Sequence, residues 1–176
     1  CDVRDHATAK LLFDTAEKEF GPVNILVNNA GRGDMYTIDR LTDENALDVF
    51  EIDYFSAMRS CREAVMRWKE RGTGVIINIS SVNSWRPICG PAYTSAKAAV
   101  NMLTTSLTTY LWKTNIRVNA VLPGTTESDA SAQWLDGSMP GGYDQMKYSE
   151  PYFNTEIPMT KAMDQAYACL YLASDM

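Results

Sequence analysis

Residues 23–31 read VNILVNNAG, an apolar run that passes directly into Asn28-Asn29-Ala30-Gly31. The apolar part is short, rich in Val and Ile, and does not alternate with polar residues, as is typical of a strand covered on both faces. Two later runs have the same character: GVIINI at 74–79 and IRVNAVL at 116–122. These three runs predict buried, parallel β-strands.

Helical patterns separate these strands. We expect helices at about 5–20, 42–72, 92–113 and 161–174. The first begins at a possible Asp5 cap and ends at Gly21-Pro22, which is a helix stop signal. The second is long for one globular helix, so a kink or break is expected within it. Strand and helix alternation predicts an α/β fold with a doubly wound parallel sheet.

The segment from about 125 to 160 follows the last strand and is rich in Gly, Pro and aromatic residues. Long connections of this kind in compact domains are usually lids, binding loops or disordered segments. We interpret this one as a substrate lid. Residues 1–176 would then form one partial domain that includes the lid.

Composition excludes several classes of function. A net charge of −6 without a basic cluster argues against a nucleic acid or an anionic membrane as partner. No apolar run reaches the roughly 18 residues that a membrane span needs, and no signal-peptide pattern opens the chain. Four scattered cysteines and one histidine give no metal-site pattern. We therefore expect a cytoplasmic protein with reduced thiols and no metal.

A tyrosine and a lysine in the stretch AYTSAK at 92–97 point to acid/base chemistry. Tyr93 and Lys97 are four residues apart, so both side chains share one helix face. A free tyrosine has a pKa of about 10, and a nearby cation lowers it toward neutrality. Because ligands of such sheets bind beyond the carboxyl ends of the strands, Ser81 after the second strand could polarise the same oxygen. A Tyr-x-x-x-Lys spacing alone also arises by chance on many helices.

Four motifs together resemble the short-chain dehydrogenase/reductase family: NNAG at 28–31, NISS at 78–81, YTSAK at 93–97 and PG at 123–124. They occur in the family's order, and the resemblance runs from CDVRD at the start to LASD near the end. It implies a Rossmann fold that binds NAD or NADP. The implied reaction is hydride transfer between a secondary alcohol and a ketone.

The resemblance also assigns catalytic roles. Tyr93 matches the acid/base, and Lys97 matches the residue that lowers its pKa and holds the nicotinamide ribose. Ser81 matches the serine that orients the substrate, with Ser80 as a rival because the usual spacing to the tyrosine fits it better. Asp53 stands where the family has an asparagine; it could instead only shape the helix break, or pair with a cation.

For the cofactor, the resemblance implies three groups of contacts. Asp2 and Val3 match the pair beside the adenine. Asn29, Ala30 and Gly31 match the wall under the adenine ribose. The nicotinamide shelf and the carboxamide or phosphate contacts correspond to Pro123, Gly124, Thr126 and Ser128.

We expect the chain to be a fragment that lacks the family's glycine-rich phosphate loop and C-terminal end. The residue that separates NAD from NADP would lie upstream. Two other functions remain open: a non-catalytic nucleotide-binding regulator, suggested by Asp53, and an epimerase or lyase that uses the same Tyr–Lys pair. The expected partners are a small alcohol or ketone and, through the helices at 43–71 and 92–113, further copies in a homodimer or homotetramer.

Overall fold

A three-stranded parallel sheet organises the protein. The computed structural model describes residues 1–152, 154 and 156–175. The strands are β1 (Ile25–Asn28), β2 (Thr73–Ile79) and β3 (Asn115–Val121), in the order β1–β2–β3. Ile76 of β2 pairs with Leu26 on one side and Val118 on the other. All three predicted strands are present, each shifted by one or two residues.

The helices connect the strands as expected for a parallel sheet. Their bounds are α1 (Thr8–Phe20), α2 (Asp43–Phe50), α3 (Ser56–Trp68), α4 (Pro91–Tyr110), α5 (Asp129–Asp136), α6 (Met146–Ser149) and α7 (Ala162–Ala173). α3, α4 and α7 all contact β2. Residues 74–78 of this central strand are buried one after another, which requires cover on both faces of the sheet. The predicted doubly wound α/β class is confirmed.

Two helix predictions need correction. α1 begins at Thr8 rather than at residue 5, because the Asp5 carboxylate accepts a hydrogen bond from the Ala7 amide in a turn that precedes the helix. The long second helix is not broken. A π-helical turn, Glu51–Phe55, joins α2 to α3, so the expected kink or break is replaced by a local widening of the helix. Such turns hold one extra residue and occur often at functional sites.

The main hydrophobic core lies between the sheet, α1, α3 and α4. Its buried members are Phe13, Cys61, Ala64, Trp68, Ile76, Leu111, Ile116 and Val118. Trp68 is fully buried, and its indole lies against the backbone of Gly74. A β-carbon on residue 74 would lie 2.3 Å from that ring, so only glycine lets the strand approach the helix this closely.

The two ends of the predicted lid, the segment at about 125–160, lie next to each other. Thr126 and Thr160 form a parallel bridge, with Thr160 donating its amide to the Thr125 carbonyl. Between them lie α5, α6 and a 3₁₀ turn at Glu150–Tyr152. Phe153 and Thr155 of this segment lie outside the described residues. In the described part of the chain, no helix is both long and apolar enough to cross a membrane.

Candidate active site

A cavity of about 660 Å³ opens along the carboxyl ends of the three strands. Each strand contributes residues that follow it directly: Asn29 after β1, Ser80 and Ser81 after β2, and Pro123 and Gly124 after β3. This is the edge where open parallel α/β sheets bind ligands, and the volume suits a ligand of cofactor or substrate size. The sheet therefore creates the site by ending its strands in small and polar residues.

Tyr93 reaches this cavity from the first turn of α4. Proline at the first helical position, Pro91, favours helix initiation there. The phenol is half-buried, and the Ser81 hydroxyl acts on it as a hydrogen-bonding neighbour that lowers its pKa. Ser81 in turn accepts hydrogen bonds from the Asn83 amide at 3.1 Å and from its side-chain nitrogen at 3.2 Å. Because Asn83 supplies the donors, the Ser81 proton is available to the tyrosine oxygen.

The two serines of the NISS motif are used differently. The Ser80 hydroxyl donates to the backbone carbonyl of Lys97 at 3.0 Å and so ties β2 to α4. The Ser81 hydroxyl contacts the Tyr93 phenol instead. This geometry favours Ser81 over its rival as the serine that shares a substrate oxygen with the tyrosine.

Lys97 is held by a buried carboxylate. Its Nζ lies 2.9 Å from Oδ1 of Asp53, and the two groups form an ion pair without the alignment of a hydrogen bond. The same Nζ donates a hydrogen bond to the Ile79 carbonyl at 3.0 Å. Asp53 is 2% exposed and Lys97 is 3% exposed. The other oxygen of Asp53 accepts the Arg32 amide at 3.0 Å. The π-helical turn thus brings Asp53 to the ammonium of Lys97.

Gly31 of the NNAG motif packs directly against this ion pair. A β-carbon at residue 31 would lie 2.9 Å from Oδ1 of Asp53 and 3.1 Å from Nζ of Lys97. The backbone of the strand end therefore forms one wall around the pair, and the absence of a side chain at residue 31 makes that approach sterically feasible.

The expected lowering of the tyrosine pKa is wrong for this state of the protein. Burial raises the pKa of Tyr93 well above its ordinary value; the neighbouring Cys89 thiol and the Asp53 carboxylate raise it further, while the Ser81 hydrogen bond lowers it. Lys97 lies 5.5 Å from the ring centroid, but its charge is shared with Asp53. The phenol consequently carries its proton at neutral pH.

The pKa of Asp53 is shifted by the same burial. Desolvation raises it above the ordinary value, and the positive charge of Lys97 opposes the rise. The ion pair with Lys97 and the hydrogen bond from the Arg32 amide are therefore the interactions that favour the charged form of this carboxyl.

Most of the residues matched to cofactor contacts line the cavity. These are Asn29, Gly31, Pro123, Gly124, Thr126 and Ser128, and a β-carbon on Gly124 would meet no atom within 4 Å. Ala30 and Val3 do not line it. Asp2 also lies away from it: its carboxylate is 2.6 Å from Arg4, and that hydrogen-bonded contact lowers the pKa of Asp2 to about 2.

Several residues of the site carry no sequence motif. Asn83 orients Ser81 and also accepts the amides of Ile88 and Cys89, at 3.1 and 2.8 Å. Asp34, in the loop after β1, is buried beside the first turn of α4. Trp134 and Met139 of the predicted lid segment also line the cavity, and the aromatic content of that segment was visible in the sequence. A single buried carboxylate or amide has no periodicity, so the sequence alone did not single out Asp34 or Asn83.

Comparison with known proteins gives consistent matches. The family model described as short chain dehydrogenase matches residues 1–138. A short-chain type dehydrogenase/reductase of Picea abies is 37% identical over 177 residues, which is 99% of this chain and 63% of that protein. A 3alpha-hydroxysteroid dehydrogenase of Mediterraneibacter gnavus is 34% identical over 178 residues, covering 99% of this chain and 67% of that protein.

A solved structure agrees with the fold. 4-Hydroxyisoleucine dehydrogenase complexed with NADH matches with a TM-score of 0.77 and 26% identity, over 99% of this chain and 71% of that one. The chain spans 63% of the length of the Picea abies relative and 67% of the Mediterraneibacter gnavus relative.

Proposed function

The chain belongs to the short-chain dehydrogenase family, and from that premise we propose that the full-length protein is an NAD(P)-dependent oxidoreductase. It would interconvert a secondary alcohol and a ketone. The observation that carries the proposal is the convergence of Tyr93, Ser81 and Lys97 on one cavity at the strand ends. A proton donor, a second hydroxyl and a cation are the groups that reduction of a carbonyl requires.

Tyr93 acts as the acid in reduction. Its pKa is raised by burial, so the phenol is protonated at neutral pH and can donate to a carbonyl oxygen. Ser81, already hydrogen-bonded to the phenol, would hold the same oxygen. In the reverse direction the phenolate is needed, so alcohol oxidation is expected to increase toward alkaline pH.

Lys97 and Asp53 act as a pair. The ammonium has three donors; it donates to the Ile79 carbonyl and forms an ion pair with Asp53. Donor capacity therefore remains for a ligand hydroxyl, which under the family resemblance is the ribose of the nicotinamide nucleotide. Asp53 thereby holds the ammonium of Lys97 in place, and its negative charge reduces the net positive field at Tyr93.

The cavity fits a dinucleotide cofactor. Gly31 and Gly124 offer bare backbone, and Thr126 and Ser128 line the same cavity. When bound, the nicotinamide would supply or accept the hydride. We assign Asn29, Gly31, Pro123, Gly124, Thr126 and Ser128 to its binding, and we keep Asp2, Val3 and Ala30 as predicted contacts of the adenosine end.

The lid bears on the substrate. Trp134 and Met139 line the same cavity as Ser81 and Tyr93. Their apolar side chains favour a partly apolar alcohol or ketone as substrate, with the 125–160 segment closing over it. The 34% identical relative is named a 3alpha-hydroxysteroid dehydrogenase, which is compatible with a substrate of this polarity.

Self-association and location extend the proposal. Met66 on α3 and Met102 and Tyr110 on α4 are exposed on the two long helices, which supports a homodimer or homotetramer through them. All four cysteine thiols are free, which is compatible with the cytoplasmic location expected from the sequence. Sedimentation of the full-length protein would test the assembly.

The test of function is cofactor turnover. Full-length protein is mixed with NADH or NADPH and a panel of ketones, or with NAD or NADP and the matching alcohols, while product and reduced-nicotinamide absorbance are followed together. An oxidoreductase changes the absorbance in proportion to product. An epimerase or lyase forms product without a net change in absorbance. A regulator only binds. Either of the last two results would reject the proposed reaction.

A further inference from the structure

The helix that carries Tyr93 is capped by a residue from another part of the chain. The N-cap of α4 is Gly90, which has no side chain to accept the unpaired amides of the first turn. Oδ2 of Asp34 accepts the Tyr93 amide at 3.0 Å instead. Asp34 is 1% exposed. A buried carboxylate from the loop after β1 thus binds the backbone of the proposed acid/base.

Gly90 and Asp34 share one space. A β-carbon on residue 90 would lie 1.9 Å from Oδ1 of Asp34, and the Gly90 amide donates to the Asp34 carbonyl at 2.8 Å. The backbone angles of Gly90, φ −61° and ψ 160°, are open to any residue. Glycine is therefore needed there for room and not for conformation, because the carboxylate occupies the place of an N-cap side chain.

The segment that contains Asp34 also binds the lid. We call residues 33–36 the linking segment and residues 139–145 the lid turn. The Met35 amide donates to the Pro140 carbonyl at 2.7 Å, and the Gln145 amide donates to the Met35 carbonyl at 2.9 Å. A β-carbon on Gly141 would lie 2.3 Å from the Tyr36 amide nitrogen. The backbone of the lid turn is thus seated against the linking segment.

The carboxylate is a costly way to cap a helix. Asp34 accepts the amides of Tyr93 and Tyr36, but burial still raises its pKa above the ordinary value. A serine at residue 90 would cap α4 without a buried charge. It would not, however, connect α4 to the lid turn. The link is what Asp34 adds.

We propose that Asp34 is a positioning residue that fixes Tyr93 relative to the lid turn, so that seating of the lid turn sets the place of the phenol; this rests on the acid/base role of Tyr93 proposed above. Asp34 touches no reacting atom in this account. It acts through the first turn of α4 on one side and through the backbone of Met35 on the other.

The experiment compares two variants of the full-length protein. Asp34→Ala removes the carboxylate cap and with it the side-chain link, while the backbone bond from the Gly90 amide to the carbonyl of residue 34 stays in place. Asp34→Ala combined with Gly90→Ser supplies a local cap but no side-chain link. Once the carboxylate is gone, the atom nearest to the new β-carbon of residue 90 is the Tyr36 carbonyl oxygen, at 3.0 Å. The measurements are kcat, the dissociation constant for the cofactor, the melting temperature, and hydrogen exchange of peptides that cover 91–95 and 139–145.

We expect Asp34→Ala to lower kcat by about tenfold or more, because a small displacement of a catalytic group is enough for such a loss, with cofactor affinity changed little. Exchange should rise at both peptides. The double variant should recover the melting temperature and the protection of 91–95, but neither kcat nor the protection of 139–145. Recovery of kcat by the double variant, or an unchanged kcat in Asp34→Ala, would reduce Asp34 to a helix cap and overturn the proposal.

Hydrogen exchange separates this proposal from the proposed function. If the parent protein turns over no cofactor, the exchange of 139–145 still decides the link. Faster exchange there in both variants supports it, and unchanged exchange in Asp34→Ala overturns it.

Discussion

Nζ of Lys97 lies 2.9 Å from Oδ1 of Asp53, both side chains are buried, and Lys97 lines the cavity. Asp53 belongs to the π-helical turn between α2 and α3. Lys97 belongs to α4 and lies one helical turn after Tyr93. A carboxylate at this point shares the charge that would otherwise act on the phenol. The pair therefore links the architecture of two helices to the acidity of Tyr93.

Asp53→Asn is expected to favour alcohol oxidation near neutral pH. The Asp53 charge raises the pKa of Tyr93, so its removal lowers that pKa and increases the phenolate fraction. Because oxidation needs the phenolate, the rise of kcat with pH should move toward acid. The measurement is the pH dependence of kcat for one alcohol in both proteins.

Asp48→Asn is the matched control. Asp48 lies on α2, away from the tyrosine, and forms ion pairs with Arg4 and Arg32. Its pH profile should equal that of the parent. An unchanged profile in Asp53→Asn would leave Asp53 as helix architecture. A loss of about tenfold or more in kcat would make Asp53 a positive part of the mechanism.

Gly31→Ala should weaken the fold at the ion pair. The added methyl group would lie 2.9 Å from Asp53 and 3.1 Å from Lys97, closer than ordinary contact allows. We expect the free energy of unfolding to fall by about 1–3 kcal/mol, as for other overpacked sites. Gly124→Ala is the control for stability, because its β-carbon would meet nothing within 4 Å. Equal unfolding midpoints for the two variants in denaturant would contradict the close packing at residue 31.

Substitution of Ser81 and substitution of Ser80 should have different effects on kcat. Ser81→Ala removes the hydroxyl that contacts Tyr93, and kcat should fall by about a hundredfold, the usual loss for one donor to a reacting oxygen. Ser80→Ala removes a bond to the backbone of Lys97, so it should cost about 1 kcal/mol of stability with a much smaller loss of rate. A larger loss of kcat in Ser80→Ala than in Ser81→Ala would reverse the assignment.

The sequence predicted the parts of the molecule that repeat a simple pattern. Three apolar runs became the three strands, and the residues after them became the walls of the cavity. Tyr93 and Lys97 were found because one helical turn separates them. These features depend on local spacing, which a sequence displays directly.

The interactions that the sequence did not reveal join residues that are distant along the chain. The Asp34 carboxylate reaches Tyr93 across 59 positions, and burial of Tyr93 reverses the expected direction of its pKa shift. A kink or break was expected in the long helix, whereas the structure has a continuous helix with a π-helical turn that brings Asp53 to Lys97. Such effects arise from tertiary packing and desolvation, for which no local pattern exists.

The most direct test of the account is Tyr93→Phe in the full-length protein, because it removes the transferable proton and keeps the ring. Tyr110→Phe, an exposed tyrosine at the other end of α4, is the control and should leave kcat unchanged. The measurement is kcat for ketone reduction together with the dissociation constant for the cofactor. The account predicts a loss of about a hundredfold or more in kcat with nearly unchanged cofactor affinity. Retention of more than about a tenth of the parent rate would remove Tyr93 from the acid/base role and contradict the central claim.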